Sequence, residues 1–286
     1  MILITGASGQ LGRQVIDLLL QSLPAEKIVA GVRTPDSVSD LKARGVQVRQ
    51  MDYTQPESLD RALTGIQQLL LISSSEVGQR ATQHHNVIDA AQKAGVTMLA
   101  YTSLLHADTS PLGLADEHRQ TEAELKTSGL NWVLLRNGWY TENYLAGLPA
   151  ALEHGTLIGC AGDGRIASAT RHDYAAAAVT VLLEGAKHYH KTYELAGDTS
   201  YSLAEYADII HQLTGKNVAY QNLSETDYRN TLISIGLPEH LAELLADSDT
   251  GASQGALFDG SQQLSQLTGR PTTSLESALR SALEKI

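Results

Sequence analysis

The first twelve residues, Met1-Ile2-Leu3-Ile4-Thr5-Gly6-Ala7-Ser8-Gly9-Gln10-Leu11-Gly12, constrain the fold more than any other stretch of the chain. An unbroken apolar run enters a glycine-rich turn. Behind it Leu11, Val15, Leu18 and Leu19 are spaced to bury one face of a helix. A buried strand, a tight turn and a helix N-terminus together predict a site for a pyrophosphate. The turn and the helix point unpaired N–H groups at the anion, and the helix dipole adds to the attraction. Gly6 and Gly9 let the backbone approach the phosphates, and Gly12 lets the helix pack against the sheet. The spacing is G-x-x-G-x-x-G rather than the commoner G-x-G-x-x-G. Its weight comes from its place, one strand-length into the chain and opening a helix.

Composition narrows the function. A net charge of -11 argues against non-specific binding to nucleic acid or to an anionic membrane. The single cysteine, Cys160, excludes an intrachain disulfide and a cysteine-built zinc site. It has no adjacent cationic neighbour and is expected to be a buried thiol. No apolar run approaches the roughly 18 residues of a membrane span. A first strand beginning at Met1 leaves no room for a signal peptide, so a cytoplasmic protein is expected. His84 and His85 are adjacent on a predicted helix and face different directions. A solvated or capping role is expected for them, and no metal.

Further along, apolar runs predict strands at Lys27 to Val32, Gly45 to Met51, Gln68 to Ile72, Val96 to Ser103, Asn131 to Leu135 and Tyr193 to Gly197. Helical patterns separate them around Leu59 to Leu63, His84 to Ala94, Leu114 to Ser128 and Asp173 to Leu183. This alternation predicts an α/β chain with a Rossmann-like, doubly wound parallel sheet. Beyond it, a helix at Leu203 to Thr214, a strand at Val218 to Tyr220 and helices near Asp227 to Ile235, Leu241 to Ala246 and Leu275 to Leu283 predict a smaller C-terminal α/β lobe. The expected division is 1–200, with an insert around 138–160, and 201–286, with the last helix (274–285) packing back on the first domain.

Several residues stand where chemistry is expected. After the second strand an NAD-binding fold carries an Asp or Glu for the adenine ribose. This chain has Gly31-Val32-Arg33 there, and a guanidinium suits a 2′-phosphate. Ser73, Ser74 and Ser75 end the fourth strand, and Thr102 and Ser103 end the fifth. No tyrosine has a lysine four residues later, which removes the usual acid–base pair of alcohol and ketone dehydrogenases. The segment Arg136-Asn137-Gly138-Trp139-Tyr140-Thr141-Glu142-Asn143-Tyr144 mixes aromatic and polar groups in a way that suits a planar ligand.

Together with Ile72 to Arg80, Thr102 to Asp108 and Asp163 to Ala169, these motifs resemble the zinc-free bacterial NADPH-dependent quinone oxidoreductases. These belong to the NmrA-like branch of the atypical short-chain dehydrogenases. The resemblance implies a Rossmann domain binding NADPH and a smaller lobe closing a substrate cleft. It implies dinucleotide contacts at Gly6, Ala7, Ser8, Gly9, Gln10, Leu11 and Gly12, at Arg33, at Ser73 to Ser75 and at Thr102 and Ser103. Asn137, Gly138, Trp139, Tyr140, Thr141 and Glu142 would lie along the nicotinamide. Tyr140, Asn143 and Ser168 would face the quinone and carry the catalysis. Asp52, after the third strand, would reach the adenine edge.

The leading expectation is hydride transfer from NADPH to a small-molecule quinone, with no nucleic-acid or membrane partner and a homodimer as one candidate assembly. The competing expectation is a non-catalytic NADP-binding redox sensor acting through a protein partner. A weaker third is reduction of another electrophile, such as an enone or imine.

Overall fold

The computed structural model describes residues 1–286. In chain order the elements are β1 (Ile2–Ile4), α1 (Gln10–Leu19), β2 (Ile28–Val32), α2 (Ser39–Ala43), β3 (Gln47–Gln50), α3 (Pro56–Leu63), β4 (Gln68–Leu71), α4 (Arg80–Lys93), β5 (Met98–Leu104), α5 (Ala115–Thr127) and β6 (Asn131–Asn137). There follow α6 (Thr141–Leu145), α7 (Leu148–His154), β7 (Thr156–Gly159), α8 (Arg171–Glu184), β8 (Lys191–Leu195), α9 (Leu203–Thr214), β9 (Ala219–Asn222), α10 (Glu225–Ser234), α11 (Glu239–Ser253), α12 (Gln263–Thr268) and α13 (Leu275–Leu283).

A seven-stranded sheet runs β3-β2-β1-β4-β5-β6-β8, and β1 to β6 pair in parallel. β1 and β2 are apolar and buried throughout because helices cover both faces of such a sheet. β3, with Gln47, Arg49 and Gln50, is only half-buried and forms one edge. Strand order reverses between β1 and β4, so the C-terminal ends of these two strands flank the switch point where ligands of such sheets bind. This is the expected doubly wound α/β architecture.

The chain forms two compact units whose division is not at residue 200. The first is 1–107, 116–137 and 171–193; the second is 108–115, 138–170 and 194–286. Stretch 138–170 joins the second unit through pairings with residues far along the chain. β7 pairs in parallel with β9, Ile166 bridges Tyr201, and the Tyr144 hydroxyl donates to Asp249 at 3.0 Å. α13 packs on α6 and α9, both in the second unit. α9 starts at a capping box in which Ser202 and Glu205 satisfy each other's backbone N–H groups.

Two features of the first unit set the geometry of its ligand edge. One is the entry to α1. A Cβ at residue 12 would lie 2.5 Å from the Gly6 carbonyl oxygen and 2.9 Å from the Ala7 Cα, so only glycine lets the helix start this close to the strand. Gly6 itself has φ +56°, in the left-handed region. The other is His84, which is fully buried rather than solvated. Its Nε2 accepts the Ser74 N–H at 2.9 Å, leaving Nδ1 to donate to Thr121 Oγ1 at 3.0 Å. Burial first, and then the Arg80 charge, hold His84 down to about 3. Burial, Arg80 and His84 do the same to His118, also down to about 3, while its Nδ1 lies 2.6 Å from the Tyr101 hydroxyl.

Gly12→Ala is expected to cost about 1–3 kcal/mol through overpacking, read as a lower urea midpoint at unchanged slope. An unchanged midpoint would mean that the helix can slide away from the turn. A pH prediction follows from the two histidines. In the unfolded chain each takes up a proton near its ordinary value of 6.5, but in the folded chain only near about 3. Between those limits the unfolded state binds more protons, so stability is expected to fall as pH drops from about 6.5 toward about 3. Asp249, raised by burial to about 6 from 3.8, works in the opposite sense between those values and offsets part of the loss. Urea unfolding at a series of pH values checks this; stability that held level or rose below pH 6.5 would contradict it.

Candidate active site

The glycine turn is braced from beneath. Thr5, fully buried, donates its N–H to the Leu70 carbonyl at 3.1 Å and accepts the Ile72 N–H on its hydroxyl at 2.9 Å, with the Tyr53 hydroxyl against the same oxygen. Ala7 N–H reaches the Gly31 carbonyl at 3.3 Å, and Gly9 N–H the Gly6 carbonyl at 2.9 Å. Gly9 is the N-cap of α1, with no side chain capping it and no acid in the first turn. Ser8 and Gln10 are exposed, while Leu11 is buried and turns into the core. The α1 N-terminus therefore offers uncapped N–H groups at the switch point, and no carboxylate in its own first turn opposes an anion.

The serine run after β4 is strapped down through its backbone. Ser73 N–H donates to Thr102 Oγ1 at 2.9 Å, Ser74 N–H to His84, and Arg80 Nε to the Ser74 carbonyl at 2.7 Å. The hydroxyls of Ser73 and Ser75 make no hydrogen bond inside the protein, whereas Ser74 Oγ accepts the Glu76 N–H at 3.1 Å. Ser103 is committed elsewhere. Its hydroxyl donates to Glu122 Oε1 at 2.6 Å, and Arg136 holds both oxygens of that buried acid, at 2.9 and 2.7 Å. Asp52 is likewise occupied, accepting from the N–H and hydroxyl of Thr54 at 2.9 and 2.8 Å.

Arg33 follows directly on β2, with its side chain 71 % exposed. The sequence shows no acid in this position, but Glu76 arrives from the loop after β4. Arg33 Nη1 lies 3.0 Å from Glu76 Oε1, and Gln83 Nε2 donates to Oε2 at 2.7 Å. That pairing is tertiary, and only the acid's closeness to the serine run hinted at it.

At the end of β6, Asn137 is buried, and its side-chain Oδ1 has no hydrogen-bond partner in the protein. A buried amide oxygen without a donor is costly, and a ligand amide N–H is the kind of group that satisfies it. With the glycine cradle and the uncapped helix, it makes the first unit fit a dinucleotide bearing a carboxamide.

In the second unit the chain from Gly138 pairs with the stretch around Ser168. Gly138 N–H donates to the Leu195 carbonyl at 2.8 Å, Ala169 N–H to the Trp139 carbonyl at 3.1 Å, and Thr141 N–H to the Ala169 carbonyl at 2.9 Å. Tyr140 is the extended N-cap of α6, and Glu142 and Asn143 lie in its first turn. Tyr140 and Asn143 therefore do not share a helical face, although Asn143 N–H donates to the Tyr140 carbonyl at 3.0 Å. Ser168 Oγ lies 2.8 Å from Thr141 Oγ1 and 2.7 Å from the Tyr201 hydroxyl, a chain of three hydroxyls. Tyr201, one of those three, carries no sequence signal of its role. Beside it, the Tyr144 ring lies 6.5 Å from Tyr201 and 6.2 Å from Trp139. Burial, and then Asp249, push the Tyr144 hydroxyl well above its ordinary range. Cys160 is buried, with its thiol pushed up to about 11 by burial.

Comparison with known proteins agrees with this geometry. Residues 6–184 match the family model described as NAD(P)H-binding. The chain is 61 % identical over 275 residues to "Quinone oxidoreductase 2" of Escherichia coli K12, covering 96 % of each. It is 32 % identical over 236 residues to the NmrA-like family domain-containing oxidoreductase flvB of Aspergillus flavus, covering 79 % of this chain and 75 % of that one. The E. coli NADPH-dependent quinone oxidoreductase QOR2, solved as its NADPH complex, superimposes with a TM-score of 0.96 at 59 % identity over 99 % of this chain and 100 % of that one. The chain belongs to the NAD(P)H-binding family, in the NmrA-like branch of the atypical short-chain dehydrogenases.

Proposed function

We propose that this chain is an NADPH-dependent quinone oxidoreductase that reduces a quinone to its hydroquinone. The observation that carries this reading is end-to-end similarity to a quinone oxidoreductase, on a first unit whose edge fits the dinucleotide. NADPH, when bound, supplies the hydride. The chain's own residues bind and orient. Gly6 to Gly12 cradle the pyrophosphate with backbone N–H groups, Arg33 pairs with the 2′-phosphate, and Ser73 to Ser75 and Thr102 line the dinucleotide. Asn137 Oδ1 accepts from the carboxamide and fixes which ring face is presented, with Gly138 to Glu142 following along the nicotinamide.

Negative charge gathers on a quinone oxygen as hydride arrives, and neutral donors suffice because a quinone is a strong electrophile. Asn143 Nδ2, the Tyr140 hydroxyl and the Ser168 hydroxyl are the donors assigned to that oxygen. Ser168 can pass a proton along the Thr141–Ser168–Tyr201 chain, since each hydroxyl both donates and accepts. No helix is long and apolar enough to cross a membrane, and we place the enzyme in the cytoplasm.

NADPH oxidation measured against benzoquinones and naphthoquinones, with NADH alongside, tests the reading directly; a chain that bound NADPH yet reduced none of them would refute it. Arg33→Ala is expected to weaken NADPH binding at least about tenfold and leave NADH little changed, since charge-assisted hydrogen bonds contribute on the order of 1.5–3 kcal/mol. Equal losses for both cofactors would assign Arg33 to the fold alone. Asn143→Ala and Ser168→Ala are expected to lower turnover roughly tenfold each while NADPH still binds, less than the loss of a full oxyanion-hole donor. Full turnover in both variants would move the donors elsewhere.

A further inference from the structure

Glu76 is the one acid in contact with Arg33, and the two sides of that pair are held very differently. The Arg33 side chain projects from a strand end and is 71 % exposed. Glu76 is anchored at three points. Its N–H is held by Ser74 Oγ at 3.1 Å, one carboxylate oxygen by Gln83 Nε2 at 2.7 Å, and the other meets Arg33 at 3.0 Å. Gln83 is only 4 % exposed, so its amide is a fixed donor rather than a passing surface contact. The loop carrying Glu76 is strapped in turn to Thr102 and to His84.

We propose that Glu76 competes with the adenosine 2′-phosphate for Arg33 and so limits the preference of the enzyme for NADPH over NADH. This rests on the assignment of Arg33 to that phosphate. The reasoning is electrostatic. A fixed carboxylate and a phosphate sharing one guanidinium repel each other, so part of the attraction of Arg33 for NADPH is spent against Glu76. NADH meets no such penalty, because its ribose 2′-hydroxyl is a donor that a carboxylate accepts. In NAD-binding sheets that carboxylate stands at the end of the second strand. Here Arg33 follows directly on the second strand, and a carboxylate is brought to its guanidinium from the loop after the fourth. The enzyme thus holds one partner for each cofactor, bound to one another in the absence of either.

Glu76→Gln tests this, because it removes the charge and keeps a side chain of the same shape. Dissociation constants for NADPH and NADH are measured by fluorescence titration at low and high ionic strength, beside those of Arg33→Ala. The ratio of the NADH constant to the NADPH constant is expected to rise about three- to tenfold in Glu76→Gln at low salt. The rise should shrink at high salt, as for any pair this exposed. Retained NADH binding reports that the variant is folded. A ratio that stays the same or falls at low salt overturns the proposal. In Arg33→Ala the ratio should collapse; if it does not, the assignment of Arg33 fails and this proposal with it. A collapse in Arg33→Ala without a rise in Glu76→Gln removes Glu76 alone and leaves the Arg33 reading standing.

Discussion

Helix α1 begins where it does because residue 12 has no side chain to hold it off the Gly6 carbonyl. The ligand edge of the first unit depends on that contact. It places an uncapped helix N-terminus at the strand-order reversal between β1 and β4. Thr5 then ties the same turn to β4 through Leu70 and Ile72, and Ala7 ties it to β2 through Gly31. Three strands therefore share one fixed point, and the side chains at their ends, Arg33 and the serine run among them, project from that common base.

The parallel sheet was legible because strands buried on both faces read as continuous apolar runs, and Ile2 to Ile4, Ile28 to Val32 and Leu69 to Leu71 do so plainly. Helices with clear caps were equally plain. Leu203 to Thr214 starts after Ser202 with Glu205 in place, and Leu275 to Leu283 after Ser274. Short helices were not legible. α2 and α6 have five residues each, too few to establish a period, and α6 follows directly on the extended Tyr140.

The division into units was illegible for a different reason. Stretch 138–170 is placed by Tyr201, Ala219 to Asn222 and Asp249, and nothing local in either segment announces a partner that far away. His84 shows the same limit on a smaller scale. A histidine early in a polar helix reads as solvated until Ser74 and Thr121 close over both ring nitrogens. The candidate site divides along this line. Its backbone cradle follows from glycine spacing, whereas Glu76 against Arg33 and Tyr201 against Ser168 exist only once the chain has folded.

The unpartnered Oδ1 of Asn137 sets two demands on the chain against each other. The protein alone bears the cost of an oxygen withdrawn from water without a donor, on the order of 1–3 kcal/mol. A ligand that brings the donor relieves that cost and adds its own binding linkage to the folded state. A leucine there, similar in size and with nothing to satisfy, would suit the resting protein better and the loaded one worse. Selection for heat tolerance without cofactor would therefore drift away from asparagine at this position, and selection for turnover would restore it.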